Sequence, residues 1–97
     1  MSLSNGQCFD EWEIIRKELL RLSRTKDREK LELMLKGINL LVSILDEEVE
    51  VAPLNYLERI TFIESNIERH VAFVQLDELF KESKKKLARV HAQNKSE

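Results

Sequence analysis

Apolar residues recur along this chain at helical spacing, in four stretches separated by polar or proline-marked breaks. Trp12, Ile15, Leu19 and Leu22 fall three, four and three residues apart, one stripe of a helix. Asp10 reads as an N-cap with Glu13 three residues on, as in a capping box, and Phe9 as a hydrophobic staple before it. The spacing predicts a first helix over 11–23, preceded by a flexible polar lead, 1–8. Ser23-Arg24-Thr25-Lys26-Asp27 is the first polar break, with Thr25 or Asp27 placed to cap the next helix. Leu31, Met34, Leu35, Ile38, Leu41, Val42 and Leu45 form the strongest stripe, widened by Leu33, Leu40 and Ile44. A helix apolar over so much of its circumference is expected at the centre, packed on more than one neighbour. Gly37, in its middle, reads as a point of close helix–helix approach.

The segment 46–50 is Asp-Glu-Glu-Val-Glu, and Val51-Ala52-Pro53 follows. Proline is favoured in a first helical turn and disfavours helix just before itself, so Pro53 is expected to start a third helix. Its stripe would be Leu54, Leu57, Ile60, Ile63, Ile67 and Val71. Leu76, Leu79, Phe80, Leu87 and Val90 carry a fourth, with a turn expected within 69–75. No glycine or proline marks that turn, so one continuous helix from 54 to about 92 is the alternative.

These stretches predict an all-α fold, an antiparallel four-helix bundle with helices at 11–23, 27–47, 53–70 and 75–92. A three-helix arrangement with one long C-terminal helix is the alternative. The expected core is Trp12, Ile15, Leu19, Leu22, Leu31, Leu35, Ile38, Leu41, Leu45, Leu57, Ile60, Ile63, Ile67, Leu76, Leu79, Phe80 and Leu87. A length of 97 residues leaves room for one core, so 1–97 reads as a single domain with a flexible tail at 92–97.

Composition supports the helical reading. Two glycines and one proline are too few to punctuate hairpins. At 42% hydrophobic and 35% charged, the chain is neither disordered nor membrane-embedded. No apolar run reaches a membrane span and no secretory signal is evident. The single cysteine, Cys8, cannot pair within the chain, which fits a reducing cytosol.

No catalytic constellation emerges, and the chain reads as a non-enzymatic protein without cofactor or metal. His70 and His91 are the only histidines, and no zinc-ligand spacing exists. Glu64 and Glu68 stand four apart, but the Glu-x-x-His motifs of di-metal bundles are missing, so they read as a solvated acidic face. His70 reads as a surface or capping histidine near the end of the third helix, Trp12 as a core anchor, and Tyr56 as partly packed at the surface.

Charge is unevenly placed. Residues 81–95 hold Lys81, Lys84, Lys85, Lys86, Arg89 and Lys95 against Glu82 alone, a local net of +5, while 46–50 is −4. Clustered cations invite a nucleic-acid reading. No aromatics interleave with them, however, and residues 1–80 carry ten basic against sixteen acidic side chains, which would repel a polyanion. An acidic protein patch or an anionic membrane surface suits the cluster better.

From Thr25 onward the layout resembles the enterocin A-type immunity proteins of Gram-positive bacteria. The resemblance covers about residues 19–90 and rests on pattern and spacing. It is carried by Thr25-Lys26-Asp27 opening a Leu-rich helix, by Pro53-Leu54 after an acidic connector, and by Phe73-Val74-Gln75-Leu76-Asp77-Glu78-Leu79-Phe80 leading into a basic last helix. The family's break before that helix is usually clearer. The resemblance implies a cytosolic four-helix bundle without enzyme activity that protects a bacteriocin producer. It further implies action at the inner membrane face on a mannose phosphotransferase permease engaged by bacteriocin, with cognate specificity in the C-terminal half. The matching segment here is 75–95, where Lys84, Lys85, Lys86 and Arg89 would contact an anionic leaflet or an acidic receptor loop. Two other classes fit the same residues: a helical adaptor that homo-oligomerises, and a small regulator of a protein or nucleic acid.

Overall fold

The computed structural model describes the backbone of residues 5–22 and 28–95, and the side chains of 6–22 and 28–90. Four helices occur among the described residues: α1 (Asn5–Arg21), α2 (Arg28–Glu47), α3 (Tyr56–Ser65) and α4 (His70–Lys95). A short 3₁₀ turn, Val49–Val51, joins α2 to α3. No strand occurs among these residues, and the all-α four-helix class expected from the sequence is what the chain adopts. The polar break 23–27, with its expected caps Thr25 and Asp27, lies outside the described residues, as do residues 1–4, the chain end 96–97 and the side chains of His91 and Lys95.

Helix α1 starts earlier than the capping box at Asp10 suggests. It runs through that residue from Asn5, so residues 5–8 are helical rather than a loose lead. The reason is burial. Cys8 and Phe9 extend the Trp12–Ile15–Leu19 stripe by one turn and enter the core, with Phe9 edge-on to Phe80 at 6.2 Å. Burying a phenylalanine side chain contributes about 1.5–3 kcal/mol, which exceeds the roughly 1 kcal/mol of a typical cap.

Helix α2 is turned relative to its apparent stripe. Met34, Gly37, Ile38, Leu40, Leu41, Ile44 and Leu45 are buried, whereas Leu31 is half-buried and Leu35 lies exposed. At about 100° per residue, this is a rotation of roughly 70° from the arc of the expected stripe Leu31, Met34, Leu35, Ile38, Leu41, Val42 and Leu45. Gly37 accounts for it. Without a side chain, the Gly37 face is the one that lets α1 approach, and Trp12 and Leu76 lie directly over it.

Helix α3 is shorter than expected, because Pro53 does not open it. Pro53 is buried ahead of the turn. Asn55 then adopts a left-handed conformation (φ 56°, ψ 33°), which a helix cannot run through. Starting at Tyr56, the inward stripe becomes Tyr56, Ile60, Ile63 and Ile67, and Leu57, expected in the core, faces solvent. Tyr56 and Ile67 are only partly buried. Asn66 ends the helix. Its backbone N–H reaches the Phe62 and Ile63 carbonyls, and its side-chain amide donates to the Phe62 carbonyl at 2.9 Å. This turn, 66–69, begins three residues before the expected 69–75 window, overlaps it at Arg69, and makes the last two helices separate. His70 therefore opens α4 instead of closing α3.

Helix α4, 26 residues long, is the hub: it packs against α1, α2, α3 and the 3₁₀ turn. Helix α2, expected to pack on more than one neighbour, does so: it meets α1, α4 and the 3₁₀ turn. Ala72, Phe73, Leu76, Leu79, Phe80 and Leu87 form the inner face of α4. Ser83 is also fully buried there, its hydroxyl without a hydrogen-bond partner. The pairings Glu11–Lys36, Trp12–Asp77 and Arg59–Glu82, together with Phe9–Phe80 and Lys86–Ala52, run α1 opposite to α2 and α4, and α3 opposite to α4.

Candidate functional site

The four cations singled out in the sequence do not share one face. At about 100° per residue along α4, Lys85 and Arg89 stand one turn apart on the face opposite the core, with Lys84 at its edge toward α1. All three are exposed. None pairs with a carboxylate among the described residues. Lys86 turns away toward α3, is half-buried, and donates from Nζ to the Ala52 carbonyl at 2.9 Å. It ties the α2–α3 connector to α4, so its ammonium is held against the connector and away from the outer face. Lys81, upstream on the outer face, contacts Asp77 Oδ2 at 3.2 Å and Glu78 at 4.0 Å. The exposed cationic ridge is therefore Lys84, Lys85 and Arg89.

Two ties brace the helix that carries this ridge. On the α1 side, Asp77 is buried and accepts on Oδ1 from Trp12 Nε1 at 3.2 Å and from Arg16 Nε at 3.1 Å. Burial by itself would push its carboxyl up. The hydrogen bonds from Trp12, Lys81 and Arg16 outweigh that and hold it below the ordinary carboxylate range. Trp12 in turn stacks on Phe80, with centroids 4.4 Å apart and planes 8° from parallel. On the α3 side, Arg59 grips Glu82 with both terminal nitrogens, at 3.1 and 2.5 Å. That contact lowers the Glu82 carboxyl and raises the Arg59 guanidinium. A carboxylate whose acceptors are filled by three donors is a structural clamp and a poor proton acceptor. The α1–α4 ion pair was not anticipated, although Asp77 beside Leu76 in the Phe73–Leu76–Phe80 stripe is the kind of signal that marks such a group.

Two concavities among the described residues are shallow or open. The cleft lined by Phe9, Trp12, Glu13, Asp77, Phe80, Lys81 and Lys84 encloses about 30 Å³, the scale of one water molecule. The groove of Glu58, Arg59, Phe62 and Gln75 is larger, about 280 Å³, but lies open between α3 and α4. Glu64 and Glu68 are exposed, and Glu68 lies in the turn after α3, so the two do not continue one helix face. His70 is exposed and rests beside Phe73. Cys8 is buried, and burial, with Glu47 nearby, raises its thiol pKa. Among the described residues, no three His, Cys, Asp or Glu side chains gather as a metal site, and no helix is long and apolar enough to cross a membrane.

Against this geometry, the family profile described as "YpoC-like protein" matches residues 4–95. The chain belongs to the YpoC-like family. Similarity extends to "Uncharacterized protein YpoC" of Bacillus subtilis (strain 168), 31% identical over 105 aligned positions that cover 90% of this chain and 64% of that relative. This YpoC-like chain thus spans less than two thirds of the relative's length. No solved structure matches it.

Proposed function

We propose that this YpoC-like chain is a non-enzymatic binding domain that docks the outer face of α4 onto an acidic protein surface. The carrying observation is the ridge of Lys84, Lys85 and Arg89, exposed and unpaired on a helix braced from both flanks by Asp77 and Glu82. A rigid cationic ridge raises association rates and selects partners by charge, without a pocket. Affinity capture with the full chain, and with a Lys84→Glu, Lys85→Glu, Arg89→Glu variant, tests this. A partner held by wild type at low salt should be lost in the variant and at high salt. An unchanged set of bound proteins would refute the reading.

A second, more specific reading is bacteriocin immunity, favoured by the basic last helix of a four-helix domain. In it the ridge would act from the cytosol at a membrane receptor. Expression in a sensitive strain should then protect against at least one pediocin-like bacteriocin, and the same three reversals should remove protection. No protection across a broad panel would end that reading.

A further inference from the structure

The three most exposed large apolar side chains among the described residues sit together in the chain. Leu54 is 76% exposed, Val49 73% and Leu57 67%, all within the corner where the 3₁₀ turn leads into α3. Asp46, Glu47, Glu50 and Glu58 stand exposed around them. Two cations reach into this corner, but among the described residues neither pairs with one of its carboxylates. Lys86 donates to the Ala52 carbonyl. Arg59 holds Glu82, with one nitrogen 3.5 Å from the Leu54 carbonyl. These same bonds, and the left-handed Asn55, fix the corner in place against α4.

The molecule therefore displays an acidic, apolar corner and a basic ridge. No ion pair joins the corner acids to Lys84, Lys85 or Arg89 among the described residues. Exposed apolar groups rimmed by charge mark an interaction surface. We infer that the corner of one copy docks onto the α4 ridge of a second copy, with Asp46, Glu47, Glu50 and Glu58 facing Lys84, Lys85 and Arg89. Val49, Leu54 and Leu57 then cover the aliphatic stems of the lysines and the exposed Ala88 between them. This names the partner of the ridge, and it rests on the reading of that ridge as the docking element. Corner against corner would set acids on acids, and ridge against ridge cations on cations. The contact is consequently heterologous, and copies add head to tail.

Sedimentation of the full chain over a concentration series tests the inference. At about 0.02 M salt the weight-average mass should climb to roughly twice that of the monomer or more, and it should return to monomer at about 0.5 M as screening tightens. A ridge-reversed chain (Lys84→Glu, Lys85→Glu, Arg89→Glu) and a corner-reversed chain (Asp46→Lys, Glu47→Lys, Glu50→Lys) should each stay monomeric, because each then carries two surfaces of one sign. Mixing the two should restore association. Leu54→Glu should weaken it with no change in helicity, and Lys85→Gln with Arg89→Gln replaces the ridge reversal if that chain does not fold. A wild type monomeric at every concentration, or a mixture that stays monomeric, overturns the inference. If the chain is monomeric but ridge reversal still strips an acidic partner in affinity capture, only the self-docking falls. If capture is also unchanged, the docking role of the ridge falls with it.

Discussion

Gly37 lies so close to Trp12 that a methyl group on its Cα would sit 2.6 Å from the ring atom Cζ3, and 3.1 Å from Leu76 Cδ2. Alanine is favoured over glycine within a helix by about 1 kcal/mol. Here the overlap opposes that gain. The indole cannot easily retreat, since it stacks on Phe80 and donates to Asp77. Overpacking of this kind typically costs about 1–3 kcal/mol. Gly37→Ala should therefore destabilise the fold, by up to about 2 kcal/mol, in chemical denaturation. A net gain would show that the ring moves aside freely.

Stability should fall on the acid side. Asp77 and Glu82 both have carboxyl pKa values depressed in the fold. A depressed folded value adds stability that is present above the unfolded value, about 3.9–4.3 for these residues, and is lost as pH drops through the folded value. Denaturation midpoints should hold from neutral pH to about pH 5 and decline below about pH 4. Asp77→Asn should lower stability at neutral pH by about 1–3 kcal/mol, because Arg16 and Lys81 lose a charged acceptor. It should also flatten the acid decline. An acid limb as steep in Asp77→Asn as in wild type would assign the decline to other groups.

How far the sequence spoke for the fold is clear from particular residues. Trp12, Ile38, Ile63 and Leu79 are buried as their spacing requires, because a stripe at helical period has few other places to go. Leu35 and Leu57 belong to equally good stripes and are exposed. Their fate depended on where Gly37 admits Trp12 and on where Asn55 turns left-handed, and both are tertiary choices that periodicity does not record. The site divided the same way. Lys84, Lys85 and Arg89 could be named from charge density alone. That Lys86 faces the connector instead required the position of Ala52, 34 residues away along the chain.

The last expectation separates a structural lysine from its neighbours. Lys84 and Lys85 are exposed, and reversing an exposed charge usually changes stability by less than about 0.5 kcal/mol. Lys86 is half-buried, and its ammonium fills a connector carbonyl while adding to the field that lowers the Glu82 carboxyl. Glutamate at position 86 would remove that donor and set an anion against both an unfilled carbonyl and Glu82. A lost hydrogen bond from a charged group costs about 1.5–3 kcal/mol, and solvent access to a half-buried site reduces this, so Lys86→Glu should cost about 1–2 kcal/mol. The effect should appear in thermal and denaturant unfolding and be only partly relieved by salt, because the missing hydrogen bond is not a screened interaction. Lys86→Gln, which keeps a donor but shortens its reach, should fall between. If Lys86→Glu proved as silent as Lys84→Glu and Lys85→Glu, the connector would not depend on this tie. Lys86 would then join the ridge as a fourth exposed cation.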